Sequence, residues 1–350
     1  MNFDFNIFAG QPGLPTLWFV AIGVFLIMYM ILDGFDLGVG MLMGSKFTKN
    51  EKERRLLLNI IGPVWDGNEV WMITAGGATF AAFPHVYATM FSTFYLALFL
   101  MLVALILRGV AFELRGHKDS AVWRSGWDKC IVFGSVVPAF LWGVAVTDLI
   151  AGLAIDANMT YTGGFFGLLS PYSIVGGLAF VFVFAFHGAA FLTMRLADRH
   201  LIMRVQDVAK KAGALAVVFF VLCMGLTYVY TDLYANPFAA GALVLAAVVF
   251  LASYANVINK ASTKGFVCSG LAVALTVVAF FLGLFPRLMV SSLSPEYSLT
   301  IYNASSTPYT LSIMTIAAGC LVPIILCYQI WTYYIFRKRV TAADANHHGY

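Results

Sequence analysis

Two pairs of acidic residues stand in stretches where acids are costly. Asp33 and Asp36 lie in the apolar run Leu32-Asp-Gly-Phe-Asp-Leu-Gly-Val-Gly40, and Asp66 and Glu69 lie in Trp65-Asp-Gly-Asn-Glu-Val-Trp71. Each pair is spaced i, i+3, which puts its two carboxyls on one face of a helix. An ionisable side chain inside a membrane helix is expensive, so each of the four is a candidate functional group. Asp36 stands about seven residues, roughly 10 Å, from the nearer end of its helix, and Asp66 about ten residues, roughly 15 Å, from the start of its own. If the two helices are antiparallel neighbours, the four carboxyls occupy similar depths and can meet. With small glycines leaving room for water, such a cluster suits a proton path. The same acids also suit capping of kinked backbone or pairing with interfacial Lys and Arg, and Asp66, farthest from the basic loop, is the least suited to that second role.

Other chemistry finds little support. Asp33-Gly-Phe-Asp36 lacks the spaced oxygen ligands and terminal Glu of a calcium loop. Of the six histidines, His117, His200, His347, His348 and His85 fall in loop or near-surface segments, leaving His187 inside an apolar run. One His cannot supply bis-His haem ligation; ligation with one of the 14 methionines stays open, against a hydrogen-bonded packing role. The five cysteines, Cys130, Cys223, Cys268, Cys320 and Cys327, form no CxxC pair and are expected as free buried thiols. Arg108, with Glu113 and Arg115, can meet the carboxyl cluster or lipid headgroups, with interfacial anchoring the simpler role for Arg115. Arg287 suits either a partner's acid or snorkelling.

The elements that must position these residues follow from composition. The 350 residues are 61% hydrophobic and 11% charged, with mean hydropathy +0.86, far from the roughly 25% charged content of a soluble domain. Apolar runs of about 20 residues, each able to cross roughly 30 Å of hydrocarbon, recur at 17–43, 56–83, 86–107, 130–151, 171–194, 212–232, 238–258, 266–289 and 309–336. The chain therefore reads as a single all-α integral membrane domain, 1–350, of about nine transmembrane helices. The second is the least regular, because Gly62-Pro63 and Gly67 interrupt it.

All but one of the 21 basic residues fall in alternate connections: Lys46 to Arg55, Arg108 to Lys129, Arg195 to Lys211, Lys260 with Lys264, and Arg337 to Arg339. Arg287 is the exception. The positive-inside rule places those connections in the cytoplasm, the N-terminus outside and the C-terminus inside. The net charge of +4 thus reflects orientation and implies no nucleic acid. Asp4, with no Lys or Arg before Lys46, does not fit the positive start of a cleavable signal, so a retained first helix is expected. The tail Thr341–Tyr350 reads as a short solvated end. The remaining connections are short, so chemistry belongs in the membrane or in a partner.

Asp33-Gly-Phe-Asp-Leu-Gly-Val-Gly40, Ile61-Gly-Pro-Val-Trp-Asp-Gly-Asn-Glu-Val-Trp71 and Thr74-Ala-Gly-Gly-Ala78 closely resemble subunit II of cytochrome bd quinol oxidases. Phe80 to Pro84, Tyr161 to Phe166, Phe285-Pro286, Ser291-Ser292, Asn303 to Ser306 and Leu321 to Ile325 extend the resemblance, in order, over essentially the whole chain. The resemblance implies two four-helix bundles plus one peripheral helix in a bacterial inner membrane. It also implies a heterodimer in which subunit I carries haem b, haem d and the quinol site while this chain carries no redox centre. Small accessory subunits and a structural quinone are further expectations, the latter without residues assigned. By resemblance, Asp66 lies on a proton route from the cytoplasm towards the oxygen-reducing haem, with Asp33 and Asp36 near its entrance; Glu69 stands where relatives can carry Gln, so its role does not follow. The complex would take quinol electrons and cytoplasmic protons to oxygen, separating charge without pumping. The rival class, a proton-coupled transporter, calls for a matched pair of broken helices, and only the second span looks broken. A third class, a scaffold, differs only in whether Asp66 matters to turnover.

Overall fold

The computed structural model describes residues 13–341, so Asp4 and the tail with His347 and His348 lie outside the described residues. Eleven α-helices are present among them: α1 (Leu14–Leu42), α2 (Glu51–Ile61), α3 (Trp65–Ala82), α4 (Pro84–Thr93), α5 (Tyr95–Leu114), α6 (Ala121–Ala151), α7 (Pro171–Arg195), α8 (Arg199–Tyr230), α9 (Pro237–Ile258), α10 (Ser262–Leu284) and α11 (Pro308–Ile335). Their starts are written in the sequence. The side chains of Asn50, Ser120, Ser170, Asp198, Asn236 and Thr307 accept the first free backbone N–H groups of α2, α6, α7, α8, α9 and α11. Proline occupies the first turn of α1, α4, α7, α9 and α11, where no N–H is missed.

Eight helices (α1 and α5 to α11) are long and apolar enough to cross a membrane. The expected second span is divided. Gly62 still donates to Leu58, but Pro63 has no N–H to give, Val64 closes a tighter turn onto Ile61, and the chain restarts as α3. α3 has only 18 residues, and Asp66, Asn68 and Glu69 lower its apolarity. The expected third span is longer than 86–107, running through α4 and α5 with a break at Phe94. α6 and α8 start at Ala121 and Arg199 rather than near 130 and 212, because helix continues past the hydrocarbon wherever polar residues can stay solvated.

The helix ends gather into two faces. At one, Arg115 bonds Glu51, Arg54 meets Asp128, Arg204 meets Glu53, Ala197 N–H donates to Val340, and Tyr254 donates to the Lys210 carbonyl. These contacts join all the basic connections except the stretch after Tyr254, which α9 itself carries there. At the opposite face, Leu153 donates to Val290, Ser292 to Leu153 and Ser306 to Ala82, beside a two-stranded antiparallel ribbon of β1 (Arg287–Met289) and β2 (Leu299–Thr300).

α1 is the central helix, with α3, α6, α7, α10 and α11 around it. Its second half is fully enclosed from Asp33 to Leu42 because small residues admit neighbouring backbones. A Cβ on Gly38 would run into the Phe184 carbonyl and Gly188 of α7, and one on Gly40 into Ser135 of α6. α11 is the outermost helix and buries only Leu311 and Ser312. That placement corrects the expectation of buried thiols: Cys320 and Cys327 on α11 are exposed, and Cys130, Cys223 and Cys268 are half-buried.

Candidate functional site

Two of the four singled-out acids pair with one arginine, and a third lies one helical turn away. Arg108 on α5 is completely buried, pairs through Nη1 with Glu69 of α3, and stands 3.6 Å from Oδ1 of Asp33 on α1. Its guanidinium lies 5.8 Å from the Trp65 ring and 5.2 Å from the Phe112 ring, a cation–π environment that suits Arg better than Lys. α5 can approach because a Cβ on Gly134 of α6 would strike the Arg108 side chain. Asp36, one turn after Asp33, accepts a 2.5 Å hydrogen bond from Nδ2 of Asn68. The amide oxygen of Asn68 accepts from Gln329 at 3.1 Å and from the Tyr333 hydroxyl at 2.9 Å, while Gln329 accepts from Trp71 Nε1 at 2.7 Å. One turn before Asp33, the buried Tyr29 hydroxyl accepts from Trp142 at 3.2 Å.

This centre is not saturated. Both oxygens of Asp33, Oδ1 of Asp36, and Nε and Nη2 of Arg108 are buried without a hydrogen-bond partner among the described residues. Buried polar atoms are rarely left so, and a cluster of them marks a place where water or a second polypeptide completes the bonding.

Asp66 stands apart, which corrects the expectation that all four carboxyls meet. At about 100° per residue, Asn68 takes the inward position of α3, Glu69 lies one step round, and Asp66 falls nearly opposite Asn68. Asp66 is accordingly exposed on the outer face of α3 with Pro63, Gly67 and Val70, whereas the Glu69 side chain keeps 17% of its surface and joins interior to exterior. The phase of α3 is set by the break at Pro63, which no local spacing reveals. Asn68, Gln329 and Tyr333 were also missed. A lone amide in the apolar run of α11 was the available signal for Gln329.

The other candidates resolve into structural roles. Both ring nitrogens of His187 are engaged, Nδ1 with Ser269 Oγ at 2.6 Å and Nε2 with the Ile31 carbonyl at 3.0 Å, and its ring stacks on Phe266. The carbonyl can only accept, so Nε2 carries the proton in the neutral ring. Arg115 is buried between Glu51 and Asp128 rather than anchored among headgroups, because those acids come from α2 and α6. Glu113 is exposed. Arg287 pairs with Asp232 at 2.8 Å on the opposite face.

Fold and site together define a polytopic α-helical membrane protein with a buried carboxyl–guanidinium centre. Residues 14–336 match the family described as cytochrome bd terminal oxidase subunit II. The chain is 41% identical over 334 residues to cytochrome bd ubiquinol oxidase subunit 2 of Bacillus subtilis (strain 168), covering 95% of this chain and 98% of that one. It is 37% identical over 369 residues to cytochrome bd-I ubiquinol oxidase subunit 2 of Escherichia coli (strain K12), with coverage of 95% and 96%. Its fold matches a chain in the structure of bd oxidase from Geobacillus thermodenitrificans with a TM-score of 0.73 at 20% identity, over 93% of this chain and 99% of that one. The chain belongs to the cytochrome bd terminal oxidase subunit II family.

Proposed function

We propose that this chain is the haem-free subunit of a quinol-oxidising, oxygen-reducing complex and carries part of the route by which cytoplasmic protons reach the oxygen-reducing haem of subunit I. The observation that carries this reading is the pairing of Asp33 and Glu69 with the buried Arg108, with Asp36 buried one turn from Asp33. Two carboxyls on one guanidinium with a third a turn away exceed the charge it balances, so a proton is shared among them rather than all three standing permanently ionised. Asp33 and Asp36 take protons from the basic face, Glu69 passes them across α3, and Asp66, one turn away on the outer surface, hands them to the partner. Catalysis here means proton transfer along the chain's own side chains, while electrons move only in subunit I, so turnover separates charge without pumping.

The same reading has α3 as a ninth crossing, because Ala82 meets Ser306 on one face while Glu51, before the Pro63 break, meets Arg115 on the other. With nine crossings in two bundles plus α11, the basic face is cytoplasmic, the C-terminus lies inside, and Arg287 is outside. The engagement of both His187 nitrogens supports the absence of haem on this chain. A structural quinone stays without assigned residues, because the apolar cavity lined by Tyr172, Phe180, Phe184, Val273 and Phe280 has a volume of only about 100 Å³. Small accessory subunits complete the complex, and the quinol pool supplies it through subunit I.

The test is turnover per haem in purified complexes carrying Asp66→Asn or Asp66→Glu. Asn keeps size and hydrogen bonding but cannot release a proton. Asp66→Asn is expected to assemble with full haem and consume oxygen at least about tenfold more slowly, with Asp66→Glu retaining part of the activity. A wild-type rate in Asp66→Asn would make this chain a scaffold.

A further inference from the structure

A groove of about 500 Å³ opens on the basic face, away from the Arg108 centre, between the end of α1 (Met43, Gly44), Arg54 of α2, and α6. Its α6 wall changes character along the helix. Ser125, Asp128 and Lys129 line the end nearest the basic connections, and Val132, Phe133, Val136 and Val137 line the next two turns towards the middle of the molecule. Phe133 is exposed, and the absence of a side chain at Gly44 leaves Val132 room beside it. A charged mouth over an apolar wall, in a helix that crosses the hydrocarbon, follows the profile of one leaflet from headgroup to acyl chain.

The charges at the mouth do not cancel. Asp128 is bonded by the buried Arg115 at 2.6 Å and also meets Arg54 at 3.3 Å, so its negative charge is already taken up. Arg54 keeps 39% of its side chain exposed, and Lys129 makes no ion pair among the described residues. Arg54, Asp128 and Lys129 are the ionisable groups lining the groove. Two cations and the Ser125 hydroxyl thus face outward over a neutralised acid, which favours a phosphate carrying an uncompensated negative charge.

We infer that this groove binds an anionic phospholipid of the adjacent leaflet, with its phosphate at Lys129, Arg54 and Ser125 and an acyl chain along Val132, Phe133 and Val136. A soluble phosphate would use the mouth but not the apolar wall. A covering polypeptide would need its own acid above Lys129 and would exclude lipid from Phe133.

The delipidated whole complex is titrated with dioleoylphosphatidylglycerol or dioleoylphosphatidylcholine, and bound lipid is counted by native mass spectrometry. A parallel complex carries Phe133→p-benzoylphenylalanine for photocrosslinking in vesicles containing both lipids. Phosphatidylglycerol is expected to be held about fivefold more tightly than phosphatidylcholine, a preference that Lys129→Gln removes and Lys129→Arg restores. Glycerol phosphate should not displace the lipid, and the crosslink should add the mass of phosphatidylglycerol. Equal retention of the two lipids, an unchanged preference in Lys129→Gln, displacement by glycerol phosphate, or a crosslink to a polypeptide would each overturn the assignment.

Discussion

Asn68 on α3 donates to the carboxylate of Asp36 on α1 at 2.5 Å, while Gln329 and Tyr333 of α11 hold the other end of its amide. The outermost helix thereby orients an acid in the most enclosed part of the molecule. Asn68→Leu leaves Asp36 Oδ2 without its donor, so turnover per haem should fall severalfold and the melting temperature should drop. Tyr333→Phe removes one of two donors to Asn68, and membrane hydrogen bonds average about 0.6 kcal/mol. Its turnover should stay within about threefold of wild type, as measured by oxygen consumption with quinol.

Among the described residues, Arg108 is the cation paired with Asp33 and Glu69. Arg108→Gln strands Asp33 and Glu69, and breaking a buried ion pair from one side typically costs about 3–5 kcal/mol. Assembled complex should be scarce in this variant. Arg108→Gln combined with Asp33→Asn and Glu69→Gln should recover assembly, because both stranded charges are gone, without recovering full turnover. Haem-bearing complex per milligram of membrane protein separates the two effects.

The close approach of α1 and α7 depends on Gly38. Gly38→Ala places a methyl against the Phe184 carbonyl and Gly188, both backbone, which cannot yield as a side chain tip would. Overpacking of this kind costs about 1–3 kcal/mol. Gly241→Ala in α9, with nothing near the added methyl, should be neutral or slightly stabilising. Thermal melting of the two purified complexes checks the contrast.

What the sequence shows of this site follows from what local spacing can encode. Asp33 and Asp36 share a face because both lie in one uninterrupted helix, and the break ahead of α3 is visible in Gly62-Pro63. The rotation of α3 about its axis after that break is a tertiary outcome, so Asn68 rather than Asp66 turning inward was not legible. Gln329 and Tyr333 lie 261 and 265 residues from Asn68, and only packing of α11 on α1 and α3 brings them there. Arg115 looked interfacial for the same reason, since its acids sit on other helices.

The proposed orientation has its own check. A reporter active only outside the cytoplasm, fused after Thr341, should be silent, and one fused after Asp232, beside Arg287, should be active. The opposite pattern would put the carboxyl centre on the wrong side for cytoplasmic protons.

The proposed proton route through this chain is tested most directly by proton uptake during a single turnover. The fully reduced complex in vesicles is mixed with oxygen, and uptake from the cytoplasmic-side medium is followed with a pH-indicating dye beside the haem spectra. Asp33→Asn/Asp36→Asn preserves size while removing two ionisable carboxyls. Oxygen binding to the reduced haem should be unchanged and proton uptake at least about tenfold slower. Uptake at the wild-type rate in a complex with full haem would contradict a proton route through Asp33 and Asp36.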